Sequence, residues 1–195
     1  MSYYAKRKLF ITCLSTRTQN TGKSLVQYNF SSILRGSLLN IFSVSPDPAI
    51  CAEWLDDKRL NKMLTETAQL LSTTLRMQPN FVAGIVQPMK KAYYNHPCAI
   101  FTRANPDNYQ YVLNLFEAYL HEWKYRRDAW HGTAYLLDLF KQTKITGSLL
   151  YEHPKLFHPS VSRSLDLNLG YQLTLLAKWP NDKVKPRWTK RLCPT

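Results

Sequence analysis

Two long stretches in which apolar residues return at helical spacing constrain this chain more than any other feature. Over residues 56–77, Leu60, Met63, Leu64, Leu71 and Leu75 fall on one side of a helix. Asn105-Pro106-Asp107 opens a second stretch that runs to about residue 127 and carries Val112, Leu113, Leu115, Phe116, Tyr119, Leu120 and Trp123. Pro79 ends the first, and Gly84, Pro88 and Pro97 mark residues 80–97 as loop. Shorter helices are expected over residues 49–55, 134–140 and 165–179. Residues 40–44 form a short apolar, β-prone run that Ser45-Pro46-Asp47-Pro48 breaks. The expected fold class is mainly α, a compact helical domain without a substantial sheet. A chain of 195 residues with 45% hydrophobic content can bury a proper core.

The charge narrows the partner. There are 26 Lys and Arg against 13 Asp and Glu, a formal net charge of +13. Such a balance suits a polyanion, and nucleic acid is the expected one. A membrane is not: no stretch approaches the roughly 20 apolar residues of a span, and no long helix pairs a broad apolar face with a basic one. The four cysteines, Cys13, Cys51, Cys98 and Cys193, form no CxxC pair, so neither a zinc site nor a disulfide is expected. His153 and His158 each precede a proline and lack metal-ligand spacing. No Gly-rich nucleotide loop is present, and no cofactor or metal is expected.

The charge is also uneven. Before Asn40 there are six basic residues, Lys6, Arg7, Lys8, Arg17, Lys23 and Arg35, and no acidic one. Residues 1–39 read as a basic, irregular extension to a domain over 40–195. The extension fits a basic arm following a phosphate backbone, a presequence, or upstream sequence from a misassigned start. The expected location is the cytoplasm or wherever the DNA is, or an organelle if 1–39 is a presequence.

The first long helix also carries a polar stripe. Lys58, Lys62, Glu66, Gln69 and Thr73 follow at spacings of four, four, three and four, with Arg59 at the edge. A solvated, salt-bridged face explains the stripe at about 0.2–0.5 kcal/mol per pair. The alternative is a phosphate-binding surface with one embedded acid. On that reading the cations hold Glu66 ionised, and it stabilises an oxocarbenium-like sugar or acts as a base. A second cluster, Tyr93-Tyr94-Asn95-His96-Pro97-Cys98 with Arg103, Asn108 and Tyr109, interleaves aromatics, amides and cations as base stacking requires. Its competing reading is a structural histidine and core tyrosines. Tyr125, Arg126, Arg127 and His131 make a basic knot, which also complements the helix dipole.

Several of these residues together resemble a known family. Asn40-Ile41-Phe42, Asp47-Pro48, Asp57-Lys58-Arg59, Lys62-Met63, Glu66, Ala68-Gln69-Leu70-Leu71, Asn95-His96-Pro97-Cys98, Arg103, Asn108-Tyr109, Glu122, Tyr125-Arg126 and His131 resemble a family of small, mostly phage-borne proteins. Trp188, Arg191 and Pro194 fit its tail. That family is in turn distantly similar to the pyrimidine-dimer DNA glycosylases, the endonuclease V of T-even phages. The resemblance covers residues 40–131 and implies a compact helical fold. It also implies base flipping and attack at the sugar C1′ with loss of a damaged or modified pyrimidine.

The glycosylase pattern, Asp-x-His and a catalytic Glu seven residues later, falls on Asp57, Arg59 and Glu66, with Arg59 in place of the His. The resemblance therefore implies catalytic roles for Glu66, Arg59 and His96. It implies nucleic-acid contacts from Lys58, Lys62, Gln69, Asn95, Arg103, Asn108, Tyr109, Arg126 and His131, with DNA favoured over RNA. The glycosylases use their N-terminal α-amine as nucleophile. The matching position here, Asn40, has a peptide nitrogen, so either the chain is cut just before Asn40 or Lys58 or Lys62 substitutes, with a pKa lowered by cationic neighbours. The competing readings are a DNA- or RNA-binding protein that keeps the fold without the reaction, and an enzyme acting on free nucleotides.

Overall fold

The computed structural model describes residues 39–82 and 84–194. The basic extension expected before Asn40 lies outside these residues, apart from Leu39. Six α-helices and no strand occur among the described residues: α1 (Pro48–Trp54), α2 (Asp57–Leu75), α3 (Pro97–Ala104), α4 (Pro106–Arg127), α5 (Leu137–Gln142) and α6 (Leu167–Lys178). The fold is thus all-helical, as the patterning anticipates. Short 3-10 turns precede α5 (Ala134–Leu136) and follow α6 (Trp179–Asn181).

Three helices begin in the same way. Asp47, His96 and Asn105 each cap a helix whose next residue is a proline, Pro48, Pro97 or Pro106. Each cap side chain accepts a hydrogen bond from one of the backbone N–H groups that the first turn leaves unpaired, and proline at the first position has no N–H to lose. This explains α3, which the loop expected up to residue 97 did not include.

α4 is the central helix and packs against α1, α2 and α3. Leu60, Met63, Leu64 and Leu71 of α2 and Val112, Phe116, Tyr119 and Leu120 of α4 are all buried in one core. The β-prone run at 40–44 finds no strand to pair with. It plugs the core instead, with Leu39, Ile41, Phe42 and Val44 buried. Its polar residues are satisfied by side-chain bonds. Asn40 Nδ2 donates to the Leu156 carbonyl at 3.0 Å, and Asn40 Oδ1 lies 2.9 Å from the Tyr171 hydroxyl. Gln172 Nε2 donates to the Val44 carbonyl at 2.9 Å. These bonds lay α6 along the plug. Gly170 lets the Phe157 ring rest on α6, since a Cβ there would meet it at 2.2 Å.

The tail returns to the first helices. The Trp188 indole donates to the Trp54 carbonyl at 3.2 Å, and Thr189 Oγ1 donates to Asp57 at 2.6 Å. Cys51, Cys98 and Cys193 are free thiols. No helix among the described residues is long and apolar enough to cross a membrane.

Candidate active site

Glu66 projects from the middle of α2 toward the plug and the end of α6, with only 14% of its side chain exposed. Lys62 Nζ, one turn earlier, lies 3.1 Å from Oε1. Oε2 is buried and has no hydrogen-bond partner. Burial raises the Glu66 pKa, and Lys62, the backbone N–H of Asn40 and Lys178 only partly offset it. The expectation that its cations lower the Glu66 pKa is therefore corrected in direction. Desolvation outweighs the charges because the group lies inside the fold and one oxygen has no donor. Cys98, fully buried at the start of α3, lies close enough to Glu66 to feel its charge.

Lys178, the last residue of α6, completes the cluster. It is half-buried, and its Nζ lies 5.8 Å from the centre of the Phe42 ring. Burial lowers its pKa, and Arg59 and Lys62 lower it further, against Asp182 and Glu66. Arg59 itself is locked. Its guanidinium pairs with Asp56 at 2.6 Å and with both oxygens of Asp182 at 2.7 and 3.0 Å. The resemblance implied a catalytic group here, but the structure shows a cross-link between α2 and the turn after α6.

Several other expected contacts turn out to be structural. Arg126 is 2% exposed, paired with Glu122 at 2.7 Å and Asp57 at 3.1 Å, and it donates to the Leu55 carbonyl. It cannot reach a phosphate, because its charge is spent on closing the core. Tyr109 is buried and donates to the Phe140 carbonyl at 3.1 Å, so it does not meet a base. Asn108 donates to the carbonyls of Phe101 and Tyr151. His96 Nδ1 accepts from the Cys98 N–H at 3.2 Å as the cap of α3, and burial lowers its pKa. Its site is a helix start.

The remaining expected residues fall into two surface groups. Gln69 Nε2 donates to the Lys90 carbonyl at 2.6 Å and hangs the 90–95 loop on α2. That loop displays Tyr93 and Tyr94, with Tyr93 at φ 55°, a region non-glycine residues seldom occupy. Asn95 is exposed beside them, and the Arg103 guanidinium lies 4.6 Å from the Tyr94 ring centre. The second group borders a groove of about 370 Å³ rimmed by Lys58, Arg127, Lys185 and Arg187, with Asp56 and Asp57 also in its lining. His131 reaches it through Asn61, which it meets at 3.1 Å and which lines the groove. Lys58 lies eight residues before Glu66, about 12 Å along the helix axis.

Residues 39–131 match the family model for pyrimidine dimer DNA glycosylases. The chain resembles that family over this segment, which is the all-helical part from the plug through α4 and includes Glu66. No curated protein and no solved structure matches the chain. The match begins beside Asn40, whose peptide N–H turns toward the Glu66 carboxyl. It ends before α5, so Lys178 and Asp182 lie beyond it. The sequence reading missed both, as well as Lys185 and Arg187. A lysine at the end of an expected helix, followed by Trp179-Pro180, is all that the sequence shows locally at Lys178.

Proposed function

We propose that this protein is a DNA glycosylase that removes damaged pyrimidines, pyrimidine dimers foremost, with Glu66 as its acid and base. The observation that carries this reading is Glu66 itself, half-buried and with a buried, unpartnered oxygen near Lys62 and Lys178, within the segment that resembles the glycosylases. A carboxyl with raised pKa keeps its proton to higher pH and can give it up as the C1′–N bond breaks and the base leaves with the electron pair. The resulting carboxylate then faces the positive charge developing at C1′. The groove rimmed by Lys58, Arg127, Lys185 and Arg187 suits the phosphate backbone. Tyr93 and Tyr94 suit stacking on bases opened by flipping.

The test is release of base from ultraviolet-irradiated and undamaged duplex DNA, scored as abasic sites, with the wild-type chain and Glu66→Gln. Abasic sites should appear on irradiated DNA, and E66Q should lower their rate by about 10²–10⁴-fold, the range for losing a general acid. An E66Q protein as fast as wild type overturns the mechanism. Salt-dependent binding without base loss by the wild type overturns the activity and leaves a DNA-binding protein on a glycosylase-like fold.

A further inference from the structure

We propose that Tyr93 is a stacking site for one unpaired nucleobase, set on a rigid loop and separate from the phosphate groove. The site rests on the reading of this protein as DNA-binding, and it does not depend on base removal.

Residues 88–93 are pinned to α2 at almost every step. Arg76 donates to the carbonyls of Pro88 and Met89, each at 2.7 Å. Ser72 Oγ accepts from the Met89 N–H at 3.1 Å, and Gln69 Nε2 donates to the Lys90 carbonyl at 2.6 Å. Thr73 Oγ1 donates to the Ala92 carbonyl at 3.0 Å and accepts from the Ala92 N–H at 3.2 Å. The Tyr93 carbonyl accepts from the His96 N–H at 2.9 Å, just ahead of α3. Side chains of α2 thus do for this loop what a neighbouring strand does in a sheet.

Tyr93 ends the pinned segment in the left-handed region, at φ 55°. A bulky residue is seldom found there, and the bonds on either side hold it in place. Its ring is exposed, and no other ring or cation among the described residues lies against it. Tyr94 differs. The Arg103 guanidinium and Lys91 Nζ lie 4.6 and 5.3 Å from its ring centre, and its carbonyl accepts from Arg103 at 2.7 Å. Tyr94 therefore keeps two cations beside Tyr93, whose own ring stays open.

The charge selects the occupant. From residue 67 to residue 106 the cations are Arg76, Lys90, Lys91 and Arg103, and there is no acidic residue. An open aromatic ring among cations suits a base carried on a phosphate backbone, whatever the base, because every base has a π-face. A paired base has both faces stacked on its neighbours, so the base that Tyr93 takes is unpaired. The anchors Gln69 and Thr73 lie on the same stripe of α2 as Glu66, about 4.5 and 10.5 Å past it along the axis. Lys58 and its groove lie on the other side of Glu66. A strand laid along the stripe meets the groove at one end and Tyr93 at the other.

The full chain is titrated with three undamaged DNAs: a paired duplex, the same duplex with one extrahelical 2-aminopurine, and a single strand containing that base. The extrahelical duplex should bind about 5–150-fold tighter than the paired one, the range for one base stacked on an aromatic ring. Its 2-aminopurine emission should fall on binding. Tyr93→Asn removes the ring but places a residue that tolerates the left-handed region. It should keep the melting temperature, abolish the preference and the quenching, and weaken single-strand binding by a similar factor. Tyr93→Trp should retain all three. The preference should persist as salt rises, since stacking releases no counterions, whereas Lys91→Gln should weaken every DNA and reduce the salt slope by about one. Equal affinity for the two duplexes, a preference or quenching that survives Y93N, or single-strand binding indifferent to Y93N overturns the proposal. None of these DNAs carries a lesion, so base release from irradiated DNA is scored apart. Base release without the preference leaves the role of Glu66 standing, and the preference without base release leaves Tyr93 as a stacking site on a binding protein.

Discussion

Two clusters of carboxylates and cations on and around α2 are built from the same residue types with opposite results. In one, Asp57 and Glu122 meet Arg126 and Arg191 where the tail crosses α1, α2 and α4. Glu122 accepts from Arg126 at 2.7 Å and from Arg191 at 2.9 and 3.1 Å, and Asp57 accepts from Thr189 and Arg126. Burial works against ionisation there too, but these bonds outweigh it and both carboxyls titrate below their ordinary values. In the other cluster Glu66 has Lys62, a backbone N–H and a more distant Lys178, and one oxygen has no donor. There desolvation wins and the pKa rises. What separates the two is the number of donors aimed at the carboxylate, not the number of cations nearby.

The comparison breaks most sharply under paired substitutions. Glu66→Gln should cost about 10²–10⁴ in base release, or roughly 3–5 kcal/mol of barrier, without loss of fold. Arg126→Met should do the reverse. It leaves Glu122 with Arg191 and Asp57 with Thr189 and Arg127, and breaking a buried pair from one side costs up to about 3–5 kcal/mol. At about 2–4 °C per kcal/mol for a chain of this size, melting should fall by roughly 10 °C. Activity per folded molecule should persist. Calorimetry together with single-turnover base release separates the outcomes. A large activity loss in folded R126M would mean that the two clusters are not independent.

Acid should separate the two regions next. His153 lies among the rings of Phe101, Tyr111 and Tyr171, with neither ring nitrogen hydrogen-bonded, and burial brings its pKa down from 6.5 to about 4. A depressed histidine contributes stability that is complete above its unfolded value and is lost as pH falls from about 6.5 through about 4. The loss is about 3 kcal/mol at 1.36 per pH unit. Tyr171 also clamps Asn40, so α6 and the plug should lose hydrogen-exchange protection in this window. Asp57 and Glu122 hold their network to lower pH, because their stabilisation is lost only as pH falls through their depressed values. His153→Phe should flatten the first loss and leave the second.

How much of this was legible in the sequence depended on distance along the chain. The helices were legible because apolar spacing is local, and α2 and α4 lie within two residues of the expected bounds. Asn105-Pro106 was read as a helix start, and Asp47-Pro48 as part of a break ahead of one. His96-Pro97 has the same grammar, and of its two readings, a structural histidine and the catalytic group that the resemblance implies, the cap of α3 fits the first. Arg126 looked like a phosphate contact because its helix end is basic. Its burial depends on Leu55, 71 residues earlier, and its partner Glu122 bonds Arg191, 69 residues later. Glu66 was found by its place on a stripe and by the family spacing. Its raised pKa was not legible, because it comes from the plug and α6 closing over the stripe. Lys178 lies more than a hundred residues beyond Glu66, and no local pattern joins them.

The smallest expected effect is the most specific to the contrast. A carboxyl whose pKa rises on folding binds its proton more tightly in the native state. Its ionisation therefore costs stability, and the cost grows as pH rises through the ordinary carboxylate value of 4.5 to above the folded one. Gln at position 66 has the same shape, can still accept from Lys62, and never ionises. The stability difference between E66Q and wild type should therefore move in favour of E66Q as pH rises from about 4 to 8, measured by denaturant midpoints at each pH. Asp57→Asn should move the other way and in a lower window, with wild type losing its advantage as pH falls from the ordinary value of 3.8 through the depressed folded one, since an ionised Asp57 is the form that its hydrogen bonds from Thr189 and Arg126 stabilise. Opposite slopes from two carboxylates on one helix would show that α2 holds a satisfied acid at its start and an unsatisfied one at its middle. Parallel slopes would mean that Glu66 finds in solution the donor its Oε2 lacks, and the site would then be a second cross-link.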